Sequence, residues 1–207
     1  MRNKSIKLDI ENPTIIRKAE NKRETRETII TSNVNLDGSG KAEVDTSIKF
    51  LDHMLTSLAT HSLIDISLKA TGDLRHHIAE DVAIVLGEAL LKAVSQNKRI
   101  TRFAEATVPM DESLATCSID IGNRPYHVID LGLVYPMIED MATEDITHFM
   151  ETLSGSMQAN IHIKVLHGSN DHHKAEAAFK ALARCLRVAS ALDPRRKDVP
   201  SSKGVLI

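Results

Sequence analysis

The sequence predicts an α+β protein built from two duplicated half-domains, each a sheet with two helices packed on one face. Two observations carry that prediction. A block of motifs recurs at a shift of 95 to 96 positions (148 minus 53, 172 minus 76), and helical and strand-like patterns follow one another in the same order within each copy.

The first copy opens on a hairpin-like stretch, in which residues 29–35 and 42–48 flank the turn residues Asp37-Gly38-Ser39-Gly40. Apolar residues at three-to-four spacing then predict a helix over 50–59. Ile64, Ile66, Leu68 and Ala70 alternate with Asp65, Ser67 and Lys69, as in a half-buried strand. Behind a His-His pair, Val82, Val85, Leu86, Ala89, Leu90 and Ala93 form one stripe of a longer helix. The second copy repeats this order. Residues 115–121 and 126–131 flank Gly122-Asn123-Arg124-Pro125, 146–157 read as a helix, Ile161-His162-Ile163-Lys164-Val165 as a strand, and Ala178, Leu182, Cys185, Leu186 and Ala189 as a helical stripe. Strand, strand, helix, strand, helix thus occurs twice, joined near 96–101, which sets the expected units at 1–97 and 98–192. The remainder, 193–207, holds Pro194, Pro200, Ser201 and Ser202 without periodicity and by composition alone reads as a solvated terminus.

The chain of 207 residues, 42% hydrophobic and 26% charged, is long enough to bury a core without disulfides. A formal charge of -2 and no long one-sign block argue against nucleic acid or a membrane as partner, and leave small molecules or further copies of the chain. Cys117 and Cys185 are too few for a disulfide framework or a thiolate zinc site, and residues 1–16 have no apolar leader core, so the expected location is cytoplasmic.

Ten His stand beside four Phe, two Tyr and no Trp, and they are clustered. His-His-x-x-Glu occurs as His76-His77-Ile78-Ala79-Glu80 and as His172-His173-Lys174-Ala175-Glu176. The motif sets an imidazole and a carboxylate about one helical turn apart, so both converge on one ion if a helix begins near the second His. A single copy reads better as polar residues gathered at a helix start. Two copies, each with a further His 23 or 24 residues upstream (76 minus 53, 172 minus 148), are explained more simply by two matched metal ions. His53, His76, His77, His148, His172, His173, Glu80 and Glu176 supply three imidazoles and one carboxylate per ion. Imidazole disfavours Mg and Ca, and without thiolate little selects Zn over six-coordinate Mn, Fe or Co. Four protein ligands on a six-coordinate ion leave two positions for substrate or water, hence chemistry rather than structure. Adjacent histidines on an extended segment point in opposite directions, so each pair serves two ions, whose ligands can come from different subunits. His61, eight residues after His53, lies on the same broad helical face and can reach a ligand held by the metals, whereas His127, His162 and His167 read as packing or surface residues.

The stretch Phe50-Leu51-Asp52-His53-Met54-Leu55 with His61 behind it, the two His-His-x-x-Glu motifs, and the ending Asp193-Pro194-Arg195-Arg196 to Pro200-Ser201-Ser202-Lys203-Gly204-Val205-Leu206 together resemble the imidazoleglycerol-phosphate dehydratases of histidine biosynthesis, from Arg26 to the C-terminus. The resemblance implies dehydration of D-erythro-imidazole glycerol phosphate to imidazole acetol phosphate, through an imidazolate stabilised by two Mn(2+) ions. One ion would take His53, His77, His172 and Glu176, the other His76, Glu80, His148 and His173, so these donors also border the substrate. Glu27 would be the base that takes the carbon proton, a residue otherwise read as an exposed strand Glu. Arg102, Arg124, Lys180, Ser201, Ser202 and Lys203 match phosphate-contacting positions, which turns the tail 193–207 into a substrate-binding wall. A homo-oligomer of 24 subunits with active sites between subunits is also implied.

The chain departs from the family pattern in three places. Gly72-Asp73-Leu74-Arg75 runs directly into His76, the region 135–146 has a deletion or a reshaped loop, and one residue is missing between Arg196 and Pro200. Asp111 matches an acidic position of open role. Two other readings compete: a dinuclear hydrolase of a small phosphorylated substrate, which six His to two Glu disfavours, and a metal-storing or metal-sensing non-enzyme, which leaves Glu27, Arg102, Arg124 and Lys203 unexplained.

Overall fold

Residues 17–96 and 99–204 are described by the computed structural model of the chain. The expected boundary at 97/98, the stretch 1–16, and Val205 and Leu206 of the ending motif lie outside the described residues. The first half runs through strands β1 (Lys18–Glu24), β2 (Thr28–Asn35) and β3 (Ala42–Asp45), helix α1 (Lys49–Ser62), strand β4 (Asp65–Gly72) and helix α2 (Arg75–Ser95). The second runs through β5 (Phe103–Met110), β6 (Ser113–Asp120) and β7 (Tyr126–Asp130), the short strands β8 (Met137–Ile138) and β9 (Met141–Ala142), helix α3 (Thr143–Ser156), strand β10 (Asn160–His167) and helix α4 (Asp171–Ala189).

Strand order is β1-β2-β4-β3 in one sheet and β5-β6-β10-β7 in the other, the same topology twice. The predicted hairpins are therefore corrected. β2 and β3 are separated by β4, which pairs antiparallel with β2 and parallel with β3; β10 separates β6 from β7 in the same way. The cause is burial. β4 turns Ile66, Leu68 and Ala70 into the core and belongs at the centre, whereas β3 has no fully buried residue and suits an edge, reached by a parallel crossover through α1. β1 and β5 are strands the apolar pattern did not announce. Only Asn21 of β1 is buried, and β5 carries Pro109 on an edge.

The helices lie where the apolar stripes predict, extended at their ends. α2 packs on β1, β2 and β4, and α4 on β5, β6 and β10; between the halves, α1 packs on α4 and α2 on α3. Phe50, Phe149 and Phe179 are fully buried, and the Phe149 and Phe179 rings meet at 5.8 Å, so one hydrophobic core joins both halves. Gly87 permits the close approach of α2 to the end of α3: a Cβ there would stand 3.0 Å from both Leu153 O and Met157 N.

Candidate functional site

The packing of α1 on α4 and of α2 on α3 sets ligand side chains of opposite halves together. His53 of α1 meets His172 and Glu176 of α4, with His53 Nε2 and His172 Nε2 at 3.8 Å and 3.6 Å from Glu176 Oε2. His76 and Glu80 of α2 meet His148 of α3, where His148 Nε2 lies 3.4 Å from Glu80 Oε1 and the His76 and His148 rings stack at 5.3 Å. In each trio the donor atoms lie within 4.8 Å of one another. Two donors on opposite sides of one ion, at bond lengths of about 2.1 Å, stand about 4.2 Å apart, so both trios fit a divalent transition metal held by imidazole and carboxylate.

His77 and His173 are not brought into these trios. His77 Nδ1 is 2.8 Å from Asp73 and 3.9 Å from Glu27 Oε2; His173 Nδ1 is 2.7 Å from Glu112, with Asp111 at 3.8 Å from Nε2. The divergence within each pair was expected, but its geometry is corrected: both pairs sit in the first turn of a helix, where neighbours differ by about 100° rather than by the alternation of a strand. Asn170 caps α4 by accepting from His172 N and His173 N, which fixes the direction in which that pair leaves the helix.

Each histidine of the two His-His pairs has a carboxylate outside the trios beside it. Hydrogen bonding to Asp73 raises the His77 pKa, and hydrogen bonding to Glu112 raises that of His173. Burial pushes the Glu176 carboxyl up, but Lys180 at 2.8 Å, with His53 and His172, outweighs it and leaves the group below its ordinary value. The six residues of the trios were legible in sequence; Asp73, Glu112, Asp145 beside His76 at 2.6 Å and Glu139 beside His172 at 3.5 Å were not.

Glu27 lies in the β1–β2 turn and Glu112 at the same place in the β5–β6 turn, each directly before a buried hydroxyl residue, Thr28 or Ser113. The backbone at Glu27 is fixed: its N–H and that of Thr28 donate to Thr25 Oγ1 at 3.1 Å and 3.0 Å, and its carbonyl accepts from Asp73 N at 3.0 Å. Thr28 Oγ1 donates to buried Asp81, which also accepts from Arg23 Nε at 2.8 Å. The Glu27 carboxylate itself is 57% exposed. Glu112 instead accepts from Asn170 N at 2.9 Å and Ser169 N at 3.2 Å and holds His173, which depresses its pKa strongly, the His173 bond most of all. One acid is exposed, with only His77 at 3.9 Å, and its counterpart is committed to backbone donors and His173.

Arg102, Arg124, Ser201, Ser202 and Lys203 line one cavity of about 340 Å³ with Phe103, Gly122 and Pro200. Arg102 builds it, from a left-handed backbone at φ 76°. Its guanidinium donates to Asp120 at 2.6 Å and 3.0 Å and to Pro200 O at 2.8 Å, and lies 4.6 Å over the Phe103 ring. The described part of the tail is thereby tied to β6, not a free terminus. Lys180 lies elsewhere, on Glu176 and near Met110 Sδ, and His61, in the last turn of α1, has its pKa lowered by burial and then by Lys180. No metal-donor residue lines the 340 Å³ cavity. Among the described residues no helix is long and apolar enough to cross a membrane.

The family model described as imidazoleglycerol-phosphate dehydratase matches residues 46–186. A protein of that name from Dehalococcoides mccartyi is 50% identical over 191 residues, covering 92% of this chain and 97% of its own; one from Thermoanaerobacter pseudethanolicus is 45% identical over 194 residues, covering 92% and 100%. The crystal structure of the Pyrococcus furiosus enzyme superposes with a TM-score of 0.78 at 41% identity, over 89% of this chain and 99% of that one. The Staphylococcus aureus structure gives 0.79 at 31%, over 85% and 99%. With the fold and the sequence in agreement over nearly the whole length of these relatives, the chain belongs to the imidazoleglycerol-phosphate dehydratase family.

Proposed function

We propose that the chain, a hydro-lyase of histidine biosynthesis by its family, dehydrates D-erythro-imidazole glycerol phosphate to imidazole acetol phosphate at two Mn(2+) ions per active site. The observation that carries the metal dependence is the pair of quasi-equivalent His, His, Glu trios, built across the halves with donor atoms within 4.8 Å. His53, His77, His172 and Glu176 would hold one ion, and His76, Glu80, His148 and His173 the other. Because His77 and His173 leave the trios of their own chain, each completes a set on a neighbouring copy, in a homo-oligomer with active sites between subunits, 24 subunits by its family. Residues 1–97 and 98–192 are the repeated units and 193–207 the substrate-binding tail.

When bound, such ions supply positive charge against an imidazole ring that takes on negative charge, which a carbon–hydrogen bond with no adjacent carbonyl requires. Glu27 Oε2 accepts the proton from the carbon next to the one that loses hydroxide, and the resulting enol tautomerises to the ketone. Its fixed backbone and free carboxylate suit that role, whereas Glu112 is fully engaged. Arg102, Arg124, Ser201, Ser202 and Lys203 hold the phosphate in the cavity they line, with Arg102 preset by Asp120. Lys180 and His61 border the Glu176 trio and contact substrate from that side.

The test is to strip the protein with chelator, refill it with Mn and measure metal content and turnover of imidazole glycerol phosphate together. Two ions per chain with restored turnover are expected; two ions without turnover would remove the substrate assignment, and no bound metal would remove the site.

A further inference from the structure

The two metal trios have the same donors, yet the residues behind the donors break the repeat. Asp145, in the first turn of α3 and 6% exposed, sets Oδ1 2.6 Å from His76 Nδ1. That bond holds the proton on Nδ1 and leaves Nε2 as the donor atom, oriented as a carboxylate orients a ligating histidine. It also fixes the ring that stacks on His148, a residue of the same helix one turn on. The counterpart of Asp145 in the first half is Phe50 (145 minus 95), whose ring packs edge-on against His172 at 5.1 Å and offers no acceptor. The nearest carboxylate to His172 Nδ1 is Glu139, 3.5 Å away and 65% exposed.

The carboxylate donors differ in the opposite sense. Buried Glu176 is paired with the Lys180 ammonium at 2.8 Å, so an ion arriving there shares its anionic ligand with a cation already in place. The counterpart of Lys180 is Ile84 (180 minus 96), and Glu80, half-exposed, meets His148. The histidines expected to arrive from neighbouring copies do not offset this, since His77 and His173 are backed alike, by Asp73 at 2.8 Å and Glu112 at 2.7 Å.

We propose that Asp145 is a positioning residue that makes the His76, Glu80, His148 trio the tighter of the two metal sites, so that the ions load in order, this site first. The inference rests on the dinuclear reading above. Its test is a titration of chelator-stripped full-length protein with Mn(2+) alone, following the free-ion paramagnetic resonance signal. Wild type takes up two ions per chain in two steps at least about tenfold apart. Asp145→Ala weakens the first step by about 10- to 100-fold and leaves the second in place. Asp145→Asn, which keeps an oxygen acceptor, falls between, and Lys180→Met tightens the second step and narrows the gap. Glu144→Gln, which removes the neighbouring first-turn acid, moves neither, so a general loss of α3 stability is separated from the effect on His76. Two equal steps in wild type, or equal weakening of both by Asp145→Ala, would overturn the ordered loading while leaving the dinuclear reading intact; no uptake would overturn both.

Discussion

At the scale of single residues, the repeat supplies a control for each assignment. Glu27 and Glu112 occupy matching turns, and only Glu27 keeps a carboxylate free of backbone donors. Glu27→Gln is expected to retain both Mn ions and lose about 10²- to 10⁴-fold in turnover, the usual share of a general base; metal analysis beside steady-state kinetics checks it, and full turnover would remove Glu27 from the reaction. The pH dependence follows from the direction of two shifts. Asp73 raises the pKa of His77 and Glu112 that of His173, both above the ordinary 6.5. A raised pKa means that the charged ring, which cannot ligate, forms at a higher pH than in a free imidazole, so protons begin to compete with the metal, and affinity begins to fall, at a higher pH than for an unassisted histidine. For the metal-free protein the sign reverses: those ion pairs stabilise the fold below 6.5 and their contribution is lost as pH rises through the folded pKa values. Melting temperatures with and without Mn, from pH 8 to 5, should therefore converge on acidification. The six residues that meet in the two trios were legible because duplicated chemistry stands out in a sequence. Asp145, Glu112 and Glu139 were not, because each meets its histidine across the fold, and no local pattern marks such a pairing.

At the scale of elements, the long helices could be read from their stripes, since Val82, Val85, Leu86, Ala89 and Ala93 all face the core. β1 could not, because an edge strand of sequence KAENKRE buries only Asn21 and so carries no apolar alternation. Strand order was equally hidden: a turn such as Asp37-Gly38 signals reversal of the chain and says nothing of β4 arriving later to lie between β2 and β3. The contact that matters most to the second trio is α2 on α3. At Gly87 an added methyl group meets Ser156 Cβ at 2.7 Å and backbone atoms at 3.0 Å, so it must push α3 outward. Gly87→Ala gains about 1 kcal/mol of helix propensity and loses about 1–3 kcal/mol to overpacking. The urea midpoint is expected to fall and Mn affinity at the His76, Glu80, His148 trio to drop; a raised midpoint would show that the helices can slide apart freely.

At the scale of the whole molecule, the proposed ligand sets, with His77 and His173 directed away from the trios of their own chain, would make catalysis a property of an assembly. His77→Ala and His53→Ala remove donors assigned to one ion but lying on different copies, so each variant alone should be inactive, and a mixture dissociated and reassembled should regain turnover, read by activity against the unmixed controls. Recovery in neither mixture nor controls would place both donors on one chain. The tail is held in a comparable spirit of shared construction, since Arg102 reaches from the start of β5 to Pro200 and makes the two segments one wall. The exchange of ligands between halves has a historical consequence. His53 belongs with His172 and Glu176, and His148 with His76 and Glu80, so a half-length chain on its own owns no complete trio. Two identical half-chains docked about a two-fold axis would own two, with the same topology in each sheet. The present chain has the form of such a homodimer joined end to end, and the joining leaves the twin sites free to differ: with each copy encoded separately, Asp145 stands behind one and Lys180 beside the other.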